Sequence, residues 1–271
     1  MQGASREAMA QAWSGVERLL STPDVDAAQV GEELFAVVDL LDGQVALRRA
    51  LSDPALEAGQ KASLVESVLG SRVSAPTLQI VGDLVRARWS RMRDLPDAIE
   101  TLAVLAMLTA AERDGQADDV EDELFRFARI VESRPALRDA LSSRALPNEN
   151  KTALVDALLG GGKATETTLV LVTQLATHPR GRSPEDALAD YGQIAARRRE
   201  RFVARVTTAI PLTDDERERL ATALAGLYGH DVHLHAEVDE DVIGGVVVQV
   251  GDEVLDGSVA GRLDRARQQL E

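Results

Sequence analysis

Apolar residues recur at spacings of three and four up to about residue 200. Leu34, Val37, Val38 and Leu41 are a clear instance, because these positions share one side of an α-helix. Gly70 closes a later stretch of the same kind, and glycine is the residue expected just past a helix end. The pattern predicts a series of short amphipathic helices.

Beyond residue 200 the period of the apolar positions changes from about 3.6 to 2. Phe202, Ala204 and Val206 alternate with the residues between them, and this alternation predicts a strand. Thr213 is followed three residues later by Glu216, which is the spacing of a capping box. The pair therefore predicts the start of a helix after the first strand.

Three further strands and a last helix are predicted from the remaining pattern. They are the strands at residues 232–238, 246–250 and 253–255 and the helix at residues 259–270. Gly251 and Asp252 lie between the last two strands, and such a pair suits the tight turn of a hairpin. The predicted fold class is α+β and mostly α, with two tandem helical-bundle modules followed by a small α/β C-terminal domain.

The helical part contains an internal duplication with a period of ninety residues. Residues 33–70 align without a gap on residues 123–160, and 16 of the 38 positions are identical. Roughly three identities would be expected by chance in a chain of this composition. Lys61 and Lys151 are one of the identical pairs. The duplication predicts two modules of about five or six short helices each.

The junction of the two modules predicts a helix that both of them share. Residues 102–111 are apolar on every side, and a helix of that kind is normally buried all round. We therefore expect one continuous helix at about residues 94–114. The predicted domains are helical copy 1 at residues 1–104, helical copy 2 at residues 105–200, and the C-terminal domain at residues 201–271.

The composition disfavours several classes of function and excludes all cysteine chemistry. The formal net charge of −15 disfavours binding to nucleic acid or to an anionic membrane surface, since both need clustered Lys and Arg. The absence of cysteine excludes disulfides, thiolate metal sites and cysteine nucleophiles. The longest mostly apolar run, residues 102–111, has about half the length that a membrane span requires. We expect a cytoplasmic protein that can still belong to a membrane-bound assembly.

Short motifs that suggest chemistry favour structural interpretations. The run at residues 160–163 resembles a phosphate-binding loop, but Ala157 and Ala164 occupy positions that need a glycine and a hydroxyl residue. His233 and His235 share a strand face without a nearby third ligand, so solvated histidines are favoured over a metal site. Paired carboxylates are frequent, but no apolar pocket is indicated that would separate their pKa values. We expect no catalytic residue, no metal and no cofactor.

Glycine-rich motifs stand near the C-terminal end. They are Ile243-Gly244-Gly245-Val246, Gly251-Asp252-Glu253-Val254-Leu255-Asp256-Gly257-Ser258-Val259 and Gly261-Arg262-Leu263. Together with weaker likeness through both helical copies, these motifs resemble the delta subunit of bacterial ATP synthases, the family of the oligomycin-sensitivity-conferring protein. That family usually has one helical domain, so the extra copy is a departure, similar to the extension of actinobacterial relatives.

The resemblance implies a non-catalytic stator subunit in the peripheral stalk of F-type ATP synthase, on the cytoplasmic face of the cell membrane. Such a subunit links the alpha subunits of the catalytic head to the b subunit and resists the torque of the rotor. A stand-alone helical scaffold or regulatory binding protein is the alternative.

The resemblance also implies where the two partners bind. If copy 1 keeps the family groove, the N-terminal helix of an alpha subunit would lie between two apolar stripes. The stripes are Met9, Trp13, Val16 and Leu20, and Leu78, Val81 and Val85. The C-terminal motif would have a structural role or contact the b subunit. Its residues are Gly244, Gly245, Gly251, Asp252, Asp256, Gly257, Ser258, Arg262 and Leu263.

Overall fold

The chain folds into two compact units. A computed structural model describes residues 3–143, 145–200, 203–228, 233–239, 244–250 and 253–256. Unit 1 is Met1–Ala195 and unit 2 is Ala196–Glu271. The division between helical copies 1 and 2 therefore falls inside unit 1, and the predicted boundary at residue 104 stays a prediction.

Short helices follow one another throughout unit 1, and the last one runs into unit 2. They are α1 (Ala4–Leu20), α2 (Ala27–Gly43), α3 (Val45–Ser52), α4 (Ala58–Leu69), α5 (Ala75–Arg86), α6 (Asp94–Arg113), α7 (Ala117–Ser133), α8 (Pro135–Ser142), α9 (Asn148–Leu159), α10 (Glu166–Thr177) and α11 (Pro184–Glu200). The first residues of α1, α6 and α11, namely 4, 94 and 184, are ninety apart. The other helices of copy 1 match those of copy 2 with the same offset to within one residue.

The central helix α6 has the place of the last helix in copy 1 and of the first helix in copy 2. It corresponds to the shared helix expected at about residues 94–114, and most of its side chains are buried. The helix α2 packs along α6. A Cβ at Gly31 of α2 would lie 2.6 Å from Sδ of Met107, so glycine permits this close approach.

Two contacts of the duplication recur in both copies. Glu33 accepts hydrogen bonds from the backbone N–H and the hydroxyl of Ser74, just before α5. Glu123 accepts the same two bonds from Thr165, just before α10. Each glutamate therefore satisfies donors at a helix start, where backbone N–H groups lack partners within the helix.

Unit 2 combines a four-stranded sheet with one described helix. Its elements are β1 (Val203–Thr208), α12 (Asp214–Tyr228), β2 (His233–Val238), β3 (Val246–Val250) and β4 (Glu253–Asp256). The strand order is β2-β1-β3-β4, in which β1 and β2 are parallel and the other pairs antiparallel. Leu224 of α12 packs on Ala204 and Val206 of β1 and on Val248 and Val250 of β3. The predicted fold class is confirmed.

The predicted local features of unit 2 agree with the structure where it describes them. Thr213 caps α12, because its hydroxyl accepts from Glu216 N–H and the Glu216 carboxylate accepts from Thr213 N–H. β3 and β4 form the predicted hairpin, with Val250 opposite Glu253. The turn at residues 251–252 and the helix predicted at residues 259–270 lie outside the described residues.

A helix long and apolar enough to cross a membrane does not occur among the described residues.

Candidate partner-binding surface

The two predicted apolar stripes lie on α1 and α5, which pack against each other. Most of the stripe residues face inwards and belong to the core of unit 1, namely Trp13, Val16, Leu20, Val81 and Val85. Met9 of α1 and Leu78 of α5 are only partly buried and lie against this core. These two side chains are therefore the partly accessible stripe residues, one on each helix, and we call the outward side of this helix pair the α1–α5 edge.

Both ends of α1 are held by the central helix α6. At the start, the Ser5 hydroxyl donates to Asp94 Oδ2 over 2.7 Å. Ser5 Oγ also accepts from the Ser90 backbone N–H over 2.7 Å. At the other end, the Arg113 guanidinium donates to the carbonyls of Leu20, Thr22 and Val25. A cation there satisfies carbonyls that have no helical partner. The α1–α5 edge is thus built on a fixed helix.

The counterpart of α1 in copy 2 is the enclosed helix α6. Ninety residues after Met9 stands Ile99, which is fully buried. Leu78 corresponds to Leu169, since Thr165 repeats the contacts of Ser74 at an offset of 91, and Leu169 is partly buried as Leu78 is. Leu105 of α6 is also buried, whereas its counterpart Gly15 on the outer side of α1 is exposed. The reason is that α6 has neighbours from both copies, including α2. Copy 1 and copy 2 therefore offer different surfaces despite their common sequence pattern.

A buried ion-pair cluster joins α2, α6 and the loop after α10; we call it the Arg180 cluster. The Arg180 guanidinium is 6% exposed and contacts three carboxylates. Its distances are 2.6 Å to Asp42, 2.8 Å to Asp97 and 2.6 Å to Glu100. Glu100, in turn, pairs with Arg182. The cluster therefore connects helices of copy 1 to a loop of copy 2.

Burial and charge determine the ionisation of this cluster. Burial is the largest influence on Asp97 and raises the pKa of its carboxyl, although Arg180 opposes the rise. Burial would lower the pKa of Arg180, but the carboxylates of Glu100, Asp97 and Asp42 raise it. Burial raises the pKa of Tyr191, whose hydroxyl donates to Glu100 Oε1 over 3.0 Å. Arg180 is therefore a permanent cation at neutral pH.

Sequence reasoning missed the Arg180 cluster. Arg180 and Glu100 are 80 positions apart, so no local spacing relates them. One signal was present in the sequence. Glu100 stands two residues before Leu102, where the mostly apolar run at residues 102–111 begins, and a charge beside a buried helix segment needs a partner. Arg180 also has a φ of 52°, a conformation that costs energy for any residue with a Cβ.

The motifs that suggest chemistry form ordinary structural contacts. Lys163, in the glycine-rich loop, donates to the Ala157 carbonyl over 2.7 Å at the end of α9. His235 lies 3.6 Å from Glu237 on exposed sheet surface. Groups of three or more potential metal ligands do not occur in the part of the chain that the structure describes.

The C-terminal motif is described only in part. Gly244 and Gly245 precede β3 with φ values of 65° and 84°, which explains the need for glycine at both positions. Asp256 ends β4. The remaining predicted residues lie outside the described part, namely Gly251, Asp252, Gly257, Ser258, Arg262 and Leu263.

Comparison with known proteins gives consistent matches along the whole chain. The family model described as the ATP synthase delta (OSCP) subunit matches twice, at residues 20–107 and 104–270. ATP synthase subunit delta of Acidothermus cellulolyticus is 59% identical, with 100% of this chain and 99% of the relative covered. The subunit of Streptomyces avermitilis is 53% identical, covering 99% and 98%. That of Thermobifida fusca is 44% identical, covering 100% and 99%.

Proposed function

The chain belongs to the ATP synthase delta (OSCP) subunit family, and we propose that copy 1 binds the N-terminal helix of an alpha subunit at the α1–α5 edge. Members of this family are non-catalytic subunits of the peripheral stalk of F-type ATP synthase. On this proposal the subunit joins the catalytic head to the rest of the stator, at the cytoplasmic face of the cell membrane.

The difference between the two copies supports copy 1 as the binding module. Met9 is partly accessible, whereas its counterpart Ile99 is fully buried; Leu78 and its counterpart Leu169 are both partly buried. An amphipathic helix needs apolar side chains that it can cover, and a groove between two helices is a common way to offer them. The family model matches both copies, and its second match, at residues 104–270, continues from copy 2 through unit 2, so the preference for copy 1 rests on the accessibility of Met9 alone.

We further propose that unit 2 binds the b subunit. Its described part exposes large apolar side chains around α12 and on both edge strands of the sheet, and these are the candidates for a partner contact. They are Ile210, Leu227, Val238 and Val254. The variants Leu227→Glu and Val254→Glu are expected to weaken binding of the purified b subunit to the full chain. Unchanged binding by both variants would contradict this assignment.

Calorimetry with a synthetic peptide of the alpha subunit N-terminal helix tests the α1–α5 edge. The double variant Met9→Glu/Leu78→Glu is expected to bind the peptide at least about tenfold more weakly than wild type, since charged groups cannot be buried there without a partner. Leu158→Glu, at an exposed position of α9, is the matched control and should bind normally. Full affinity in the double variant would refute the proposal.

A further inference from the structure

The loop between α5 and α6 carries arginines that have no acidic partner within the described chain. This α5–α6 loop, residues 87–93, includes Arg88, Arg91 and Arg93, and all three are exposed. None of their guanidiniums forms an ion pair with the residues that the structure describes. The whole chain has 45 acidic residues against 30 basic ones, so a loop of unpaired cations runs against its overall charge.

Hydrogen bonds to α3 and α6 hold the α5–α6 loop in place. The Arg91 backbone N–H donates to Asp94 Oδ2 at the start of α6 over 3.2 Å. The Ser52 hydroxyl at the end of α3 donates to the Met92 carbonyl over 3.3 Å. Arg49 stands three residues before Ser52, so it lies on the side of α3 that borders the loop. A fixed backbone of this kind lowers the entropic cost of binding a partner.

Exposed apolar side chains accompany the arginines. Met92 is 39% exposed, and Val45, one turn before Arg49 on the same side of α3, is 51% exposed. Arg49 is exposed and forms no ion pair among the described residues either. Arginine and methionine are both enriched in protein interfaces, whereas lysine is depleted there. We call the surface defined by Val45, Arg49, Arg88, Arg91, Met92 and Arg93 the arginine patch.

The corresponding loop of copy 2 shows what such arginines bind. This α10–α11 loop, residues 178–183, contains Arg180 and Arg182. Both guanidiniums pair with carboxylates of the Arg180 cluster, which stand on the neighbouring helices α2 and α6. Arg49 of the patch corresponds to Asp139 in copy 2. The loop is therefore a docking element in copy 2, whereas its equivalent in copy 1 presents its cations to the surface.

We propose that the arginine patch docks a segment of another ATP synthase subunit that presents clustered carboxylates on one or two helices, with an apolar side chain among them. The carboxylates pair with the four arginines, as those of α2 and α6 pair with Arg180 and Arg182. The apolar side chain covers Met92. The inference goes beyond binding at the α1–α5 edge and rests on different residues.

The charge of the whole chain favours a short acidic segment as the occupant. A nucleic acid or an anionic membrane would extend past the patch and meet the acidic remainder of a chain whose net charge is −15. Two copies of this chain would repel each other for the same reason. A helix end brings only its own few carboxylates, so it gains the attraction of the arginines with less of this repulsion.

Photo-crosslinking in the assembled ATP synthase tests which segment occupies the patch. Benzoylphenylalanine replaces Met92 in one preparation and Leu158 in the control, whose side chains are 39% and 38% exposed. We expect position 92 to crosslink to a segment of another subunit with clustered Asp or Glu residues, mapped by mass spectrometry, and position 158 not to reach that segment.

Several crosslinking results would overturn the proposal. They are the absence of a crosslink from position 92, a crosslinked segment without clustered carboxylates, the same segment reached from both positions, and a crosslink confined to this chain or a second copy of it.

Charge reversal gives a second measurement. Arg88→Glu/Arg93→Glu should leave the thermal midpoint of the isolated subunit near that of wild type, because both side chains are exposed and unpaired. The variant should rebind at least about tenfold more weakly to synthase stripped of this subunit, since like charges then meet. The control Arg18→Glu/Arg72→Glu makes the same change of net charge at exposed positions outside the patch and should rebind normally. Equal affinities of the two double variants would contradict the proposal.

Peptide binding separates this surface from the α1–α5 edge. Arg88→Glu/Arg93→Glu should bind the alpha-subunit peptide with wild-type affinity in calorimetry, because the patch has another occupant. Loss of peptide binding in this variant would assign the arginines to the α1–α5 edge and overturn the patch as a separate surface. If the wild-type chain does not bind the peptide, the α1–α5 edge is refuted, and the rebinding and crosslinking results still decide the arginine patch.

Discussion

Replacement of Arg180 by alanine is expected to destabilise unit 1 strongly. The guanidinium is 6% exposed and lies within 2.8 Å of carboxylates on α2 and α6, so its removal leaves several acidic groups without their shared cation. Glu100 keeps Arg182 and the Tyr191 hydroxyl as partners. Asp42 and Asp97 are partly exposed and can regain water.

These contacts set the size of the stability loss expected for Arg180→Ala. Breaking a buried ion pair by removing one partner costs about 3–5 kcal/mol, because the remaining charge stays desolvated. The partners of Arg180 are only partly trapped, so we expect a loss of about 3 kcal/mol, at the lower end of that range. For a unit of this size, such a loss lowers the thermal midpoint by about 6–12 °C. Salt should change the difference little, because buried pairs are weakly screened.

Tryptophan fluorescence during urea unfolding measures the effect. The chain has two tryptophans, Trp13 and Trp89, and both are buried in unit 1. The control is Arg126→Ala, which removes an exposed ion pair of 3.8 Å with Asp122 and should cost about 0.5 kcal/mol or less. The reasoning is refuted if Arg180→Ala costs no more than Arg126→Ala.

Three further outcomes are expected. Asp97→Asn should be neutral or stabilising at pH 7 by unfolding midpoint, and its advantage should grow as pH rises through the raised pKa of Asp97. Glu33→Gln should lose stability at pH 7. That loss should vanish as pH falls through the pKa of Glu33, which burial would raise but hydrogen bonds from Ser74 lower. Phe35→Ala should cost about 3–5 kcal/mol in urea unfolding, whereas Phe125→Ala should be near neutral. Thr213→Ala should speed amide exchange in α12, consistent with loss of about 1 kcal/mol of capping. The same pH dependence for Asp97→Asn and Glu33→Gln, equal stability losses for Phe35→Ala and Phe125→Ala, or unchanged amide exchange in α12 would contradict these expectations.

The signs of the two pH effects follow from linkage. A carboxyl whose pKa is raised on folding stabilises the fold below its unfolded pKa and loses that contribution as pH rises, so removal of its charge helps at neutral pH. Asp97 is such a group. A carboxyl whose pKa is lowered contributes stability above its unfolded pKa and loses it on acidification. Glu33 is of this second kind.

The sequence alone determined the elements and their repetition. Period and composition identified the helical character of the chain, the duplication, the apolar segment inside α6, the capping box at Thr213 and the β3–β4 hairpin. Each of these features depends on residues that are near one another in sequence. Local spacing fixes which side of a helix is apolar and where a helix begins.

Only the tertiary structure decided what covers each apolar side. Trp13 and Met9 belong to one stripe, yet the first is buried in the core and the second lies at an accessible edge. Phe35 and Phe125 are identical in the alignment, yet Phe35 is buried and Phe125 is exposed. The Arg180 cluster likewise joins groups 80 or more positions apart. Burial depends on neighbours distant in sequence, and a periodic pattern carries no information about which neighbours those are.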